Sequence, residues 1–119
     1  GFEEDFIQKP KKPKMNKKEL VKIRQQIIVE RSKILKPLEK EIERLELEIT
    51  EAEEEISRLN QSLLEDHASL TGIELGEMAK KIAKLESSIE INFGILEERS
   101  LSVDQIKENF EVQLNELEA

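Results

Sequence analysis

The chain contains no cysteine, no tryptophan and no tyrosine, and His67 is its only histidine. Without cysteine, neither a disulfide framework nor a thiolate metal site can form. A single histidine with no companion ligand reads as a solvated loop residue rather than a metal ligand or catalyst. No glycine-rich phosphate loop, nucleophile elbow or HExxH motif occurs. Aromatic residues make up 3% of the chain and charged residues 39%, so an ordinary globular core cannot be filled. No apolar run approaches the roughly 18 residues of a membrane span, and no signal peptide is recognisable. Cytoplasmic residence is therefore the expectation, with no membrane partner.

What the chain does have is a seam. Leu35, Leu38, Ile42, Leu45, Ile49, Ala52, Ile56, Leu59 and Leu63 fall on an unbroken alternation of three- and four-residue steps. Apolar side chains thus return every 3.5 residues or so, the period of a coiled coil. A second series reads Leu75, Met78, Ile82, Leu85, Ile89, Asn92 and Leu96, and its phase continues past Arg99 to Val103, Ile106, Phe110, Gln113 and Leu117.

Two seams on one chain can pair with each other or with copies of themselves. In a parallel homodimer of the first arm, Glu41, Glu48 and Glu55 at one flank would face Glu39, Glu46 and Glu53 at the other, setting like charges together along its length. Folding back avoids that repulsion. The two seams interlock throughout if facing residue numbers sum to about 141, placing Leu63 by Met78, Ile56 by Leu85, Ala52 by Ile89, Leu45 by Leu96 and Leu38 by Val103. The expected fold is therefore all-α: a long antiparallel two-helix coiled-coil hairpin with a flexible basic linker ahead of it.

Punctuation sets the boundaries. Residues 1–16 read as a linker and the end of a preceding domain, because Gln8-Lys9-Pro10-Lys11-Lys12-Pro13-Lys14 is charged and proline-spaced. Residues 17–119 read as the hairpin, with arm one over 17–65, a turn over 66–72 and arm two over 73–118. Asn16 with Glu19, Thr71 with Glu74, and Ser102 with Gln105 each match a helix-capping pattern. The last of these predicts a break at 100–102 and a fresh helix from Val103. Pro37 predicts a kink, since it removes an amide donor at a cost of about 3 kcal/mol in a straight helix. Upstream of it, Leu20, Ile23, Ile27 and Ile34 form a stripe one residue out of phase with the Leu35 seam, which a π-type insertion would absorb.

Charge is unevenly spread. Residues 1–33 hold ten Lys or Arg against five Asp or Glu, a net +5, and residues 34–119 hold nine against twenty-two, a net −13. Within the first block Lys9, Lys11, Lys12, Lys14, Lys17, Lys18, Lys22 and Arg24 face only Glu19. Eight cations on a tether suit sequence-independent phosphate binding; the plainer reading is a solubilising linker. The glutamates repeat at helical spacing on outward faces, so solvated flanks explain them better than acid–base pairs. Asn92 in the seam either fixes register or yields its place to Phe93. Leu47, Leu70 and Ile73 are where a helical protein partner could meet the rod; the plainer reading is isolated exposed apolar residues, which are normal on a protein surface.

The residues also suggest a family. The order Gly1-Phe2-Glu3-Glu4-Asp5-Phe6, then the Lys-Pro linker, then Asn16-Lys17-Lys18-Glu19, then Lys36-Pro37-Leu38-Glu39-Lys40-Glu41-Ile42-Glu43-Arg44-Leu45-Glu46 resembles the C-terminal region of ABC-F ATPases. Leu59-Asn60-Gln61-Ser62-Leu63-Leu64-Glu65-Asp66 is similar to the family's L-x-x-x-L-A-D-P ending, with His67 in place of the proline, and Phe93 stands where a later aromatic is common. The resemblance implies a non-catalytic coiled-coil module. ATP and Mg2+ would belong to nucleotide-binding cassettes outside this sequence, and the hairpin would contact those cassettes and either ribosomal RNA or DNA. The alternative is a protein–protein scaffold or a homo-oligomerising coiled coil unrelated to ABC proteins.

Overall fold

The computed structural model describes residues 15–119. It consists of two long helices, α1 (Lys17–Asp66) and α2 (Gly72–Glu118), joined by a single 3-10 turn over His67–Ser69. The helices pack antiparallel along their length. The shape is elongated, 96 × 30 × 16 Å, with the two helices side by side in a single layer.

Both predicted caps form. The Asn16 side chain accepts a hydrogen bond from the Glu19 amide at 2.8 Å, and the Thr71 hydroxyl accepts one from the Glu74 amide at 3.1 Å. The Thr71 hydroxyl also donates to the Glu74 carboxylate at 3.0 Å. Each satisfies one of the free amides that open a helix, worth about 1 kcal/mol. At the far end of α1 the Ser69 hydroxyl donates to the carbonyl of Asp66 at 2.9 Å, which closes the turn.

All nine positions of the first seam are buried or half-buried, and Leu45, at 2% exposure, is the most enclosed side chain among the described residues. Leu35, Ile49, Val103 and Phe110 complete the fully buried set. The cross-helix polar contacts report the register directly. Asn92 with Glu48 and Arg99 with Glu41 each sum to 140, and Arg24 with Glu118 sums to 142. The two lysine pairs reach further along the seam, Lys81 with Glu55 summing to 136 and Lys107 with Glu39 to 146, so the facing numbers centre on about 141.

Four expectations need correction. The break at 100–102 does not form, and no new helix starts at Val103: α2 runs unbroken from Gly72 to Glu118. The Ser102 hydroxyl donates to the carbonyl of Glu98 at 3.1 Å, one turn back, instead of capping. Continuity is favoured because it buries Val103, Ile106 and Phe110 in phase, while Arg99 fills the seam position between Leu96 and Val103. In the upstream stripe, Ile34 points outward at 42% exposure and Leu35 takes the inner place. No π-type turn accommodates the shift; α1 stays α-helical through Pro37, and three successive four-residue steps, Ile23, Ile27, Arg31 and Leu35, carry the inner stripe round the helix. Near the C-terminus Gln113 is exposed and Leu114 replaces it.

Gly94 lies in the interior of α2 on its outer face, and a Cβ added there would meet nothing within 4 Å. Glycine in a helix interior costs about 0.8–1 kcal/mol relative to alanine. Gly94→Ala is therefore expected to raise the midpoint of thermal unfolding by several degrees, read by circular dichroism at 222 nm.

Candidate nucleic-acid interface

Packing uses one stripe of each helix, so the opposite stripe is left to solvent. At about 100° per residue, the line diametrically opposite the seam of α1 passes through Lys18, Lys22, Gln26, Val29, Lys33, Lys36 and Lys40. All seven are exposed. The line contains five lysines and no acid until Glu43, and it spans 22 residues, about 33 Å of helix. None of the five lysines forms an ion pair among the described residues. Lys22, Gln25, Gln26, Val29, Glu30 and Lys33 line a shallow open groove along this face.

The cations anticipated from the sequence divide on this geometry. Lys9, Lys11, Lys12 and Lys14 lie outside the described residues. Lys17 opens α1, and Lys18 and Lys22 stand on the outer line. Arg24 does not join them: it turns toward α2 and pairs with Glu118. Sequence reading by local charge density stopped at Arg24 and missed Lys33, Lys36 and Lys40, which continue the same line. The signal was present in the three- and four-residue spacing of lysines half a turn away from the seam.

The acidic flanks of α1 serve the fold. Glu41, Glu48 and Glu55, one heptad apart, meet Arg99 at 3.1 Å, the Asn92 amide at 3.4 Å and Lys81 at 3.4 Å on α2. Asn92 thus keeps its seam position, while Phe93 remains 45% exposed. The guanidinium of Arg58, hydrogen-bonded to Glu55 at 2.5 and 3.0 Å, holds the Glu55 carboxyl below the usual carboxylate range, with Lys81 adding to the effect. Lys80 and Lys84 form no ion pair among the described residues. On the opposite flank Lys107 reaches Glu39 at 4.0 Å. Exposed pairs of this kind contribute about 0–1 kcal/mol each, so they select register and orientation more than they stabilise.

At the tip His67 is exposed, Ile73 is 77% exposed and Leu70 is half-buried beside Leu59 and Met78. Among the described residues no three His, Asp or Glu side chains converge to hold a metal ion, and no helix is long and apolar enough to cross a membrane. Comparison with protein-family models, curated proteins and solved structures finds no match.

Proposed function

We propose that the hairpin is a non-catalytic coiled-coil module that grips the phosphate backbone of RNA or DNA through the outer lysine face of α1. The observation that supports this most is the run Lys18, Lys22, Lys33, Lys36 and Lys40 on one exposed line without an intrahairpin ion partner. Cations that are not already neutralised release the polymer's condensed counterions when they bind, and this is the main source of sequence-independent affinity. The face carries no aromatic platform for stacking bases, so the contact is to backbone rather than to sequence. Lys9, Lys11, Lys12, Lys14 and Lys17 precede it and extend the same charge.

On the resemblance to ABC-F proteins, the module sits after the second nucleotide-binding cassette of a cytoplasmic ATPase, with ATP and Mg2+ held by the cassettes and not by the hairpin. The rod would then fix where those cassettes stand relative to the bound polymer. The acidic α2 side would be repelled by phosphate and so orient the rod with α1 inward.

The test is a salt titration of the full chain against labelled duplex DNA and single-stranded RNA. Five phosphate contacts predict a slope of log K against log salt of at least about −4.5 for the duplex and about −3.5 for single strands, a loss of some 10²–10³-fold between 50 and 200 mM salt. An affinity that ignores salt would overturn the phosphate grip.

A further inference from the structure

The outer line of α2 is the chemical opposite of that of α1. Level with residues 26–47 of α1 it passes through Gly94, Glu97, Leu101, Asp104, Glu108, Val112 and Asn115, all exposed and with no cation among them. None of its three acids forms an ion pair among the described residues. A shallow groove bounded by Phe93, Leu96, Glu97, Leu101 and Asp104 runs along it. The hairpin is thus a plate with a basic edge, Lys18 to Lys40, and a shorter acidic edge, Glu97 to Glu108.

We infer that these edges dock on each other between copies, so that α1 of one hairpin packs against α2 of a second, unstaggered copy. An unstaggered neighbour of the same orientation obeys the register that holds within one hairpin, in which facing numbers sum to about 141. On that rule Val29 meets Val112, Lys33 meets Glu108, Lys36 meets Asp104, Arg44 meets Glu97 and Gln26 meets Asn115. Lys33, Lys36 and Arg44 land on acids and the two exposed valines, 50% and 49% accessible, land on each other, whereas Glu30 falls opposite Glu111 and Lys18 and Lys22 lie past the acidic stretch. Leu47, 58% exposed on α1, falls opposite Gly94, where the absence of a Cβ leaves open space. Lys40 lies over Leu101, where its alkyl stem covers the leucine while its ammonium group reaches Glu97 or Asp104. One face therefore supplies the knob, the other the notch, and opposite charges meet from Lys33 to Arg44, about 17 Å of helix.

The contact is heterologous, so it does not close on itself and generates a lateral row. A single helix-to-helix contact of this length lies at the low end of interface sizes, below about 1,200 Å², and its exposed charges are screened by salt. The association is accordingly weak and confined to low ionic strength. It is independent of the phosphate reading, although both draw on Lys33, Lys36 and Lys40, so a polyanion and a second copy compete for the same edge.

Because the natural sequence lacks cysteine, disulfide trapping is clean. Val29→Cys and Val112→Cys chains, mixed without nucleic acid at 50 mM salt and oxidised, are expected to give the mixed disulfide at least tenfold over either homodimer. The double variant is expected to give a ladder, since the two positions lie on opposite edges of one hairpin and cannot bridge within it. Both products should fall at least tenfold at 500 mM salt. Glu97→Lys/Asp104→Lys/Glu108→Lys should abolish trapping, and mixing it with a Lys33→Glu/Lys36→Glu/Lys40→Glu chain should restore it. Circular dichroism verifies that each variant is folded. Statistical proportions of the three disulfides, or trapping indifferent to the charge swap, would overturn the proposal. The acid-edge swap leaves the lysines untouched, so its result is separable from that of the salt titration.

Discussion

Replacing Leu45 by aspartate is expected to unfold the hairpin at room temperature. Leu45 is 2% exposed and lies between two polar cross-links, Glu41 to Arg99 on one side and Glu48 to Asn92 on the other. By register it faces Leu96, so an added carboxylate would sit among the apolar side chains of the seam, where Arg99 is already paired with Glu41. Loss of the leucine alone, as Leu45→Ala, costs about 2–5 kcal/mol, a large share of the 5–15 kcal/mol available to a small domain. An unpaired buried charge adds several more. The measurement is ellipticity at 222 nm with temperature and urea. Leu47→Ala serves as the control: two residues away on the outer face, it should shift stability by no more than about 0.5 kcal/mol. Equal effects at both positions would contradict the seam assignment.

The second large effect concerns binding. Neutralising Lys18, Lys22, Lys33, Lys36 and Lys40 together to glutamine is expected to reduce affinity for duplex DNA by about 10²–10³-fold at 50 mM salt and to flatten the salt slope by about 4 units, nearly one per lysine. Folding should be unaffected, because none of the five touches the seam. Arg24→Gln is the informative comparison. Arg24 belongs to the cluster visible in the sequence, but it pairs with Glu118, so its removal should change the slope by less than one unit. If Arg24 matters as much as the outer lysines, local charge density and not the helical face governs binding.

The contrast between Arg24 and Lys40 shows what the sequence reveals and what it hides. A period of 3.5 residues is a property of neighbours along the chain, so the seam, the caps at Asn16 and Thr71, and the turn near His67 were all legible. Register was legible too, because two seams of fixed phase interlock only at seven-residue steps and the short turn between the arms selects one of them. What failed was reading short-range signals without asking what long-range packing would reward. Ser102 with Gln105 carries a capping pattern, yet burial of Val103, Ile106 and Phe110 outweighs a cap worth about 1 kcal/mol. Ile34 looks like a seam residue until Leu35, one position on, competes for the same slot. The outer lysine line is hidden for a related reason: charge density is a property along the chain, whereas the line runs around the helix. The register rule places Arg24 opposite Leu117, beside Glu118, so its pairing could have been found by carrying the arithmetic one step further.

The division of labour is simple in physical terms. Apolar residues and the inner flanking charges are consumed in joining α1 to α2, and what remains is a basic edge and an acidic edge. The account stands or falls on whether the basic edge is where a polyanion binds. Lysine acetylation footprinting of the full chain, with and without saturating single-stranded RNA and read by mass spectrometry, tests this residue by residue. Protection of Lys18, Lys22, Lys33, Lys36 and Lys40, with Lys80, Lys81, Lys84 and Lys107 labelled as in the free protein, is the predicted result. Equal protection of both groups, or protection confined to the lysines of α2, would contradict it.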